Sequence, residues 1–384
     1  MIELLDDFED ARFMAKCQQG IEEILAEELH QLGARDIKTG NRAVFFSCDR
    51  KTLYRLHISL RTAQKIIYPL IEATIDQPKQ LYELVKSFSW DQVMKVHHTF
   101  KIDSVVNSSL YKHTLYPALL MKDAICDYFR EKNGKRPDID KDNPKLILYL
   151  GIRKNKVFIG IDTTGELLHR RKYRVFGGQA PIKEDLAAAL ILKTGWRGEC
   201  DFVDLFCGSG TFLIEAAMIA SRRSPNISRS NFAFMQWNNY DERIMKQVIR
   251  EAEEEVIQPK IKITGCDINP KAIEGAKRNI IKSGMISWIS LKNTSFEQIK
   301  KTSNNGVIVS NLPYEVRLKS VSTKDLYKLL GFHLKKEFSD WDAWLLTADK
   351  KSSEFLKLKP QNTYEFFNGK IKVYFSHYPI MSFN

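Results

Sequence analysis

The stretch that decides the fold is "CDFVDLFCGSGTFLIEAAMIA", Cys200 to Ala220. Its first seven residues are typical of a buried strand and its last ten of a helix, with Gly208 and Gly210 in the loop between them. In a doubly wound sheet this turn holds a nucleotide-like ligand, because glycine lets the backbone approach the ligand and the helix N-terminus offers free N–H groups. The stretch therefore predicts an α/β domain with a ligand at this turn.

The residues around the loop limit which class of ligand it can bind. A dinucleotide fingerprint needs a third glycine at position 213, where this chain has Leu213, and the Gly-Lys-Ser/Thr of a Walker loop is absent. Asp204 precedes the loop, and Asp267 ends the next strand, where a carboxylate can take both hydroxyls of a ribose. A cationic ligand with a ribose, such as S-adenosylmethionine, fits this pattern. The alternative is a structural glycine turn with surface acids.

Strands and helices alternate from about residue 181 onward, which predicts a parallel sheet. "KITGCD" and "GVIVSN" have strand patterns, and "NPKAIEGAKRNIIKSG" is a helix with Asn269 as N-cap and Gly284 after its end. Upstream, residues 13–60 and residues 66–165 form two α+β patterns. We therefore expect two smaller α+β units before the α/β domain.

Composition limits the class of protein. With 384 residues, two or three domains are expected, and no stretch approaches the roughly 20 apolar residues of a membrane span. The N-terminus lacks the apolar region of a secretory signal. Six scattered cysteines match no zinc or iron–sulfur spacing, which favours reduced thiols in a cytoplasmic protein, with a metal site built from distant residues as the alternative.

The net charge of +12 is unevenly distributed. Residues 130–174 carry 13 Lys and Arg against 6 Asp and Glu, whereas the first 129 residues carry 16 against 18. A basic segment of this kind is typical of nucleic-acid binding, and a solvated basic face is the alternative.

A second unusual strand end is "VIVSNLPYEVRL", Val307 to Leu318. Its apolar residues lead directly into Asn-Leu-Pro-Tyr, and asparagine and proline commonly form turns at strand ends. An ordinary turn is thus one interpretation, and a reacting site at the carboxyl end of a strand is the other.

Three segments in this order, "DLFCGSGTFLIEAA", "GCDINPKAIEGAKRN" and "SNLPYEVRL", resemble motifs I, II and IV of class I S-adenosylmethionine-dependent methyltransferases. The segments "TLYPALLMKDAICDYF", "LGIRKNKVFIGIDTTGELLHRRKYR", "FGGQAPIKEDLAAALI" and "NISRSNFAFMQWNNYD" are similar to further parts of the THUMP-containing RNA guanine-N2 methyltransferases. The resemblance implies a ferredoxin-like domain at 1–60, a THUMP domain at 61–168 and a Rossmann-like class I methyltransferase domain at 169–384.

The resemblance also implies a set of cofactor contacts. Asp204, with the glycines of the loop, would line the methionine part of S-adenosylmethionine, and Asp267 would bind the ribose. Ser295 aligns with the family's adenine-binding Asp and can accept a hydrogen bond from the adenine amine. The implied cofactor residues are Ala180, Pro181, Asp204, Gly208, Gly210, Thr211, Asp267 and Ser295.

The implied catalytic residues are Asn311, Leu312, Pro313 and Tyr314, where the family usually has Asn-Pro-Pro-Tyr. The Asn311 side-chain oxygen and the carbonyl of residue 312 would accept the two N–H hydrogens of an exocyclic base amine and direct its lone pair at the methyl group. Tyr314 would support the flipped base. A leucine has the same backbone carbonyl as the family's usual proline. Leu312 therefore makes the backbone less rigid but removes no reacting group.

The implied partner is structured RNA, with large-subunit ribosomal RNA first and transfer RNA second. Arg170, Arg171, Arg174 and Arg317 are the predicted RNA contacts, with hinge salt bridges as the alternative for the first three and a plain surface position for Arg317. Phe234 and Trp237 are able to stack on bases or pack in a core.

Two other classes of function stay open. A non-catalytic RNA-binding assembly factor is favoured by the departures at Leu312 and Ser295, and a nicotinamide oxidoreductase is disfavoured by Leu213. The sequence predicts neither a metal nor a membrane partner, and it predicts no oligomeric state.

Overall fold

The computed structural model describes residues 10–177, 181–313 and 322–381. These residues form two seven-stranded sheets, one in each half of the chain, with helices packed against them. The predicted order of two α+β units followed by an α/β domain is confirmed.

The first sheet has the strand order β2-β3-β1-β4-β7-β6-β5, and its pairs are antiparallel except for the parallel pair β5–β6. Its strands are β1 (Ala11–Lys16), β2 (Arg35–Thr39), β3 (Ala43–Cys48), β4 (Lys65–Thr74), β5 (Phe100–Asn107), β6 (Leu146–Arg153) and β7 (Lys156–Asp162). The helices of this half are α1 (Glu22–Gln31), α2 (Arg50–Ser59), α3 (Pro78–Lys86) and α4 (Tyr116–Asn133).

One strand joins the two N-terminal units. β4 pairs with β1 of the first unit and with β7 of the second, so both units share a single sheet. Alternate residues of this sheet, such as Phe13, Phe46 and Leu148, are buried in one core with Leu25 of α1 and Ile125 of α4. The helices therefore cover one face of the shared sheet.

The second sheet has the order β10-β9-β8-β11-β12-β14-β13. Its strands are β8 (Asp201–Asp204), β9 (Ile263–Asp267), β10 (Ile289–Asn293), β11 (Gly306–Asn311), β12 (Asp342–Thr347), β13 (Asn362–Asn368) and β14 (Ile371–Pro379). The helices are α5 (Glu184–Lys193), α6 (Thr211–Ala220), α7 (Glu242–Glu254), α8 (Pro270–Ser283) and α9 (Thr323–Glu337).

The strand order of this sheet changes direction at β8. From β8 the strands run outward through β9 to β10 on one side, and β11 and β12 follow on the other side, all in parallel. In a doubly wound sheet the crevice at such a switch point is where ligands bind. The loop with the two glycines lies at this point, because it follows β8 directly.

Buried charges connect the two halves. The Arg171 guanidinium forms an ion pair with Glu215 of α6, and both side chains are fully buried. Arg171 also donates to the Arg61 backbone oxygen, and Gln18 and Gln64 donate to the carboxylate of Asp185 at 2.7 and 2.8 Å. The N-terminal sheet is thus tied directly to the helices that flank β8.

Candidate functional site

The glycine loop turns sharply from β8 into α6. The Gly210 N–H donates to the Cys207 oxygen at 2.7 Å, and the Cys207 N–H donates to the Cys266 oxygen of β9 at 2.9 Å. Gly208 and Gly210 have φ values of +50° and +80°, a region that L side chains rarely adopt. A Cβ on Gly208 would meet no atom within 4 Å, so the loop borders open space at that residue.

The two predicted acids lie beside this loop. Asp204 ends β8, is almost completely buried, and accepts the Phe206 N–H at 3.1 Å. Asp267 ends β9 and accepts the Gly208 N–H at 3.1 Å and the Asn269 N–H at 2.8 Å. Each oxygen of a carboxylate has a second lone pair, so Asp267 can still accept two hydroxyl groups.

The environment of Asp204 favours a cationic ligand. Burial, and then the charge of Asp267, raises the pKa of the Asp204 carboxyl to about 7. In the described ranges no basic side chain forms an ion pair with it. A positive charge placed in the open space beside the loop would stabilise the ionised carboxylate.

The predicted catalytic segment follows β11, the strand next to β8. Ile308 is the partner of Val203, and Asn311 lies three residues further along β11, at the same carboxyl edge as the glycine loop. Adjacent strands are about 4.8 Å apart. The strand pairing therefore brings Asn311 to the crevice that the two acids border.

Leu312 is held by the sheet on one side and by the core on the other. Its N–H donates to the Leu346 oxygen at 2.9 Å, and its side chain is 1% exposed in an apolar cluster with Tyr327. The Tyr327 hydroxyl donates to the Pro313 oxygen at 3.2 Å. These contacts fix the backbone after Asn311 in the absence of the family's first proline.

The structure gives Ser295 a local role. It is the N-cap of a short 3-10 helix (Phe296–Gln298), and its hydroxyl accepts the Glu297 N–H and lies 3.1 Å from the Glu297 carboxylate. The adenine contact assigned to Ser295 remains a prediction. Asn293, which the sequence analysis did not single out, ends β10 and donates from Nδ2 to the Asp267 and Ile268 oxygens at 2.9 and 3.3 Å.

Arg171 and Arg174, both predicted RNA contacts, bind acidic side chains of the protein itself. Arg171 forms the buried ion pair with Glu215 described above, which is the salt-bridge alternative. Arg174 donates to Glu184 at 2.7 Å, to Thr211 at 3.1 Å and to Ser209 at 3.3 Å. The Arg171 side chain is fully buried, that of Arg174 is 20% exposed, and Arg170 is exposed; the RNA contacts of Arg170 and Arg174 stay predictions.

Asn279 holds the segment before α5 against the glycine loop. Asn279 of α8 is fully buried, accepts the N–H groups of Val175 and Phe176 at 2.9 Å, and donates to the Ser209 oxygen at 2.9 Å. Asn279 could not be recognised from the sequence, because its hydrogen-bond partners are about 70 and 100 residues away along the chain. Its sequence signal is only a polar residue on the buried side of an amphipathic helix.

The aromatic residues of the segment between α6 and α7 belong to the core. Phe234 is 1% exposed and stacks on Tyr54 of α2 with ring centroids 4.6 Å apart, and Trp237 is also buried. Of the two interpretations given above, core packing is the one that the structure shows.

Three of the predicted site residues, Ala180, Tyr314 and Arg317, lie outside the described residues. Pro181 is described; it is exposed and lines a pocket of about 360 Å³ with Arg174 and Glu184.

All six cysteines are free thiols. Within the described ranges no cluster of His, Cys, Asp and Glu is suited to a metal ion, and no helix is long and apolar enough to cross a membrane.

Comparison with known proteins identifies the fold and its relatives. Residues 171–376, more than half of the chain, match the RMKL-like methyltransferase domain, UPF0020. The chain belongs to the RMKL-like methyltransferase family. Residues 77–162 match the THUMP domain, and residues 12–67 match the RlmL ferredoxin-like domain. The ferredoxin-like, THUMP and class I methyltransferase domains therefore occur in the predicted order.

Relatives of this RMKL-like chain include a curated protein and two solved structures. The ribosomal RNA large subunit methyltransferase K/L of Cellvibrio japonicus is 34% identical over 94% of this chain and 50% of its own length. A possible methylase from Clostridium difficile 630 is 30% identical with a TM-score of 0.88, covering 98% of this chain and 100% of the other. A putative methyltransferase solved with SAH is 28% identical with a TM-score of 0.86 and the same coverage.

The RMKL-like chain spans about half the length of the curated relatives it matches. Its glycine loop and the end of β11 lie inside the segment that matches the methyltransferase domain. The domain boundaries at 60/61 and 168/169 stay predictions.

Proposed function

We propose that this chain transfers a methyl group from S-adenosylmethionine to the exocyclic N2 amine of a guanine in large-subunit ribosomal RNA. The observation that carries the proposal is the meeting of two strand ends at one edge of the second sheet. β8 brings an acid-flanked glycine loop, and the neighbouring β11 brings the Asn311-Leu312-Pro313 backbone.

The residues at the switch point fit S-adenosylmethionine. The buried Asp204 has a raised pKa and no basic partner within the described chain, which suits the ammonium group of the cofactor's methionine part. Asp267 would bind the ribose hydroxyls, and the open space beside Gly208 leaves room for the ligand. Ile268, 67% exposed directly after Asp267, would offer an apolar surface to a base.

The end of β11 performs the second task, which is to make a poor nucleophile reactive. S-adenosylmethionine supplies an electrophilic methyl group on a sulfonium. The Asn311 side-chain oxygen and the Leu312 carbonyl would accept the two N–H hydrogens of the guanine amine and hold its lone pair towards that methyl group. No general base is required, because the nitrogen proton becomes acidic as the new bond forms and is lost to solvent.

The substrate assignment rests on the relatives and on the THUMP domain. The curated relatives are named for ribosomal RNA of the large subunit, and this chain, with its three domains, aligns with about half of their length. Transfer RNA is the second candidate. A cytoplasmic location follows from this substrate and agrees with the six free thiols.

The test is nucleoside analysis of cellular RNA. Large-subunit ribosomal RNA from a strain lacking the gene should lose N2-methylguanosine at one position, and a plasmid with the wild-type gene should restore it. Loss from transfer RNA instead would favour the second candidate. Unchanged modification in both RNAs, with S-adenosylmethionine binding intact, would favour the non-catalytic assembly factor.

A further inference from the structure

The face of the first sheet opposite α1–α4 has its own small apolar cluster. Met14, Ile67 and Tyr149 are buried in it, with Phe45 and Phe158 packed alongside, and no described helix contributes to it. Lys16 and Lys65 are cross-strand partners on this same face. Like charges opposite each other are unfavourable in a sheet, and the carboxylates of Asp103 and Asp162 beside Lys65 offset part of this repulsion.

A pocket of about 620 Å³ lies on this face, within the roughly 300–1,000 Å³ of typical ligand sites. Its floor is formed by β1, β4, β5 and β6, with Lys16, Lys101 and Tyr149 among the lining residues. Its walls include Arg170 of the segment after β7 and Gln236 of the methyltransferase half. The pocket is thus built by both halves of the chain.

The cations of this pocket are only partly neutralised. Lys65 is held by Asp103 and Asp162 at 2.7 and 2.5 Å, and Lys172 pairs with Glu166 at 3.4 Å. Lys16, Lys101 and Arg170, also in the lining, have no ion-pair partner among residues 10–177, 181–313 and 322–381. Asp142 also lines the pocket and has no ion-pair partner in the same ranges, so three unpaired cations stand against one unpaired carboxylate.

Lys16 is the most confined of these charges. Its ammonium group contacts the Tyr149 hydroxyl and lies 4.3 Å from the centre of that ring. Burial, and then the charges of Arg42 and Lys65, lowers the pKa of Lys16 to about 8. A phosphate in the pocket would offset both effects, because an opposite charge favours the charged form of a lysine.

We propose that this pocket binds one phosphate-bearing nucleotide of a single-stranded segment of the RNA substrate, at a site separate from methyl transfer. Lys16, Lys101 and Arg170 would contact the phosphate, while the side-chain amides of Asn231 and Gln236 would face the base edge. A duplex keeps its bases paired inside the helix, so only an unpaired nucleotide can enter. The inference rests on the proposed function for its RNA substrate.

The pocket shares lining residues with a second pocket nearer to the methyltransferase half. Glu166, Arg170 and Lys172 line both this pocket and the smaller one, of about 360 Å³, that contains Arg174 and Pro181. Arg174 in turn contacts Thr211 at the start of α6. An RNA strand held in the larger pocket would therefore lead past the segment after β7 towards the glycine loop.

The test compares two double variants of the full chain in salt-dependent filter binding. The probe is large-subunit ribosomal RNA from a strain lacking the gene. K101Q/R170Q removes two charges from the pocket, and K79Q/K246Q removes two from exposed helix positions elsewhere, with side chains 84% and 71% exposed. Circular dichroism and the melting temperature show that each variant is folded.

The pocket variant should bind RNA roughly tenfold more weakly, with a salt slope smaller by about two, while the control variant keeps the wild-type slope. Oligouridylate should compete with the RNA, and an RNA duplex of equal nucleotide content should compete less. Equal losses of RNA affinity in both variants, or equal competition by the duplex, would contradict the proposed nucleotide site. S-adenosylmethionine affinity and methyl transfer, measured separately, keep a failure of the proposed function distinct from a failure of this inference.

Discussion

At the scale of single residues, the pKa of Asp204 gives a pH-dependent test. The pKa is about 7 in the free protein because of burial and then the charge of Asp267. A cationic ligand binds the ionised form, so raising the pH through 7 should tighten binding. Calorimetry should find S-adenosylmethionine bound about tenfold more tightly at about pH 8 than at about pH 6.

The control for this prediction is D204N, whose side chain does not titrate. Its affinity should be weak and independent of pH over the same range. A wild-type affinity that does not change with pH, or the same pH dependence in D204N, would contradict the role given to Asp204.

Arg174 is expected to act on the cofactor site and not on RNA. It donates to Ser209, Thr211 and Glu184, so R174Q removes the bonds that hold the start of α6 against the segment before α5. Loss of two or three charge-assisted bonds should weaken S-adenosylmethionine binding roughly tenfold. R243Q, whose side chain is 92% exposed, is the matched control.

RNA affinity separates the two roles of Arg174. We expect filter binding to give nearly the same RNA affinity for R174Q and R243Q. A variant at position 174 that lost RNA affinity while keeping cofactor affinity would contradict this expectation and support an RNA contact for Arg174.

Some site residues could be predicted from the sequence and others could not. Asp204 and Asp267 end neighbouring strands and Gly208 lies in the loop after the first of them, so their meeting at one sheet edge follows from strand order alone. The burial of Arg171 depends on Glu215, and the role of Asn279 depends on backbone groups of a distant segment. No local pattern specifies such partners.

At the scale of elements, the glycine loop allows a matched comparison. Gly208 and Gly284 both have positive φ, at +50° and +77°, and a Cβ on either would meet nothing within 4 Å. An alanine at either position should cost about 1–2 kcal/mol of folding stability, measured by urea unfolding. Only G208A should also weaken S-adenosylmethionine binding, because its Cβ points into the space at the switch point.

A G284A variant that lost cofactor affinity as strongly as G208A would show that the loss comes from general destabilisation. Equal affinities of G208A and wild type would show that the cofactor does not approach this glycine. Either result would remove Gly208 from the cofactor site.

Helix ends were predicted better than strands. Asn269 caps α8 with its side chain, and Gly284 ends the same helix in the left-handed region, as their residue types indicate. β2 and the β13–β14 hairpin were not predicted. β2 is exposed along nearly its whole length, so it lacks the alternation of a half-buried strand.

At the scale of the whole molecule, the two sheets are joined by buried charge. The Arg171–Glu215 pair is inaccessible to solvent, and the Tyr173 hydroxyl donates to the same carboxylate at 2.9 Å. Removing one partner of a buried pair leaves the other charge without compensation. R171M should therefore destabilise the protein by about 3–5 kcal/mol in urea unfolding.

The double variant R171M/E215L distinguishes the pair from simple loss of packing. With both charges removed, the cost should be clearly smaller than that of R171M alone. A double variant at least as unstable as R171M would show that shape, and not charge, makes this contact important.

The order of the three domains could be predicted because each has its own motifs. The single sheet shared by the first two units was not, because β4 serves both and sequence alone does not show its second neighbour. The pocket between the halves was also missed, since its lining comes from segments more than 200 residues apart.

The most direct measurement is transfer of tritium from labelled S-adenosylmethionine to ribosomal RNA of a strain lacking the gene, followed by digestion to nucleosides. Wild-type protein should place label in N2-methylguanosine. N311A should keep cofactor affinity but lose activity by roughly 10²–10³-fold, because an acceptor aimed at the reacting amine is gone. Label in another nucleoside, or full activity of N311A, would contradict the account.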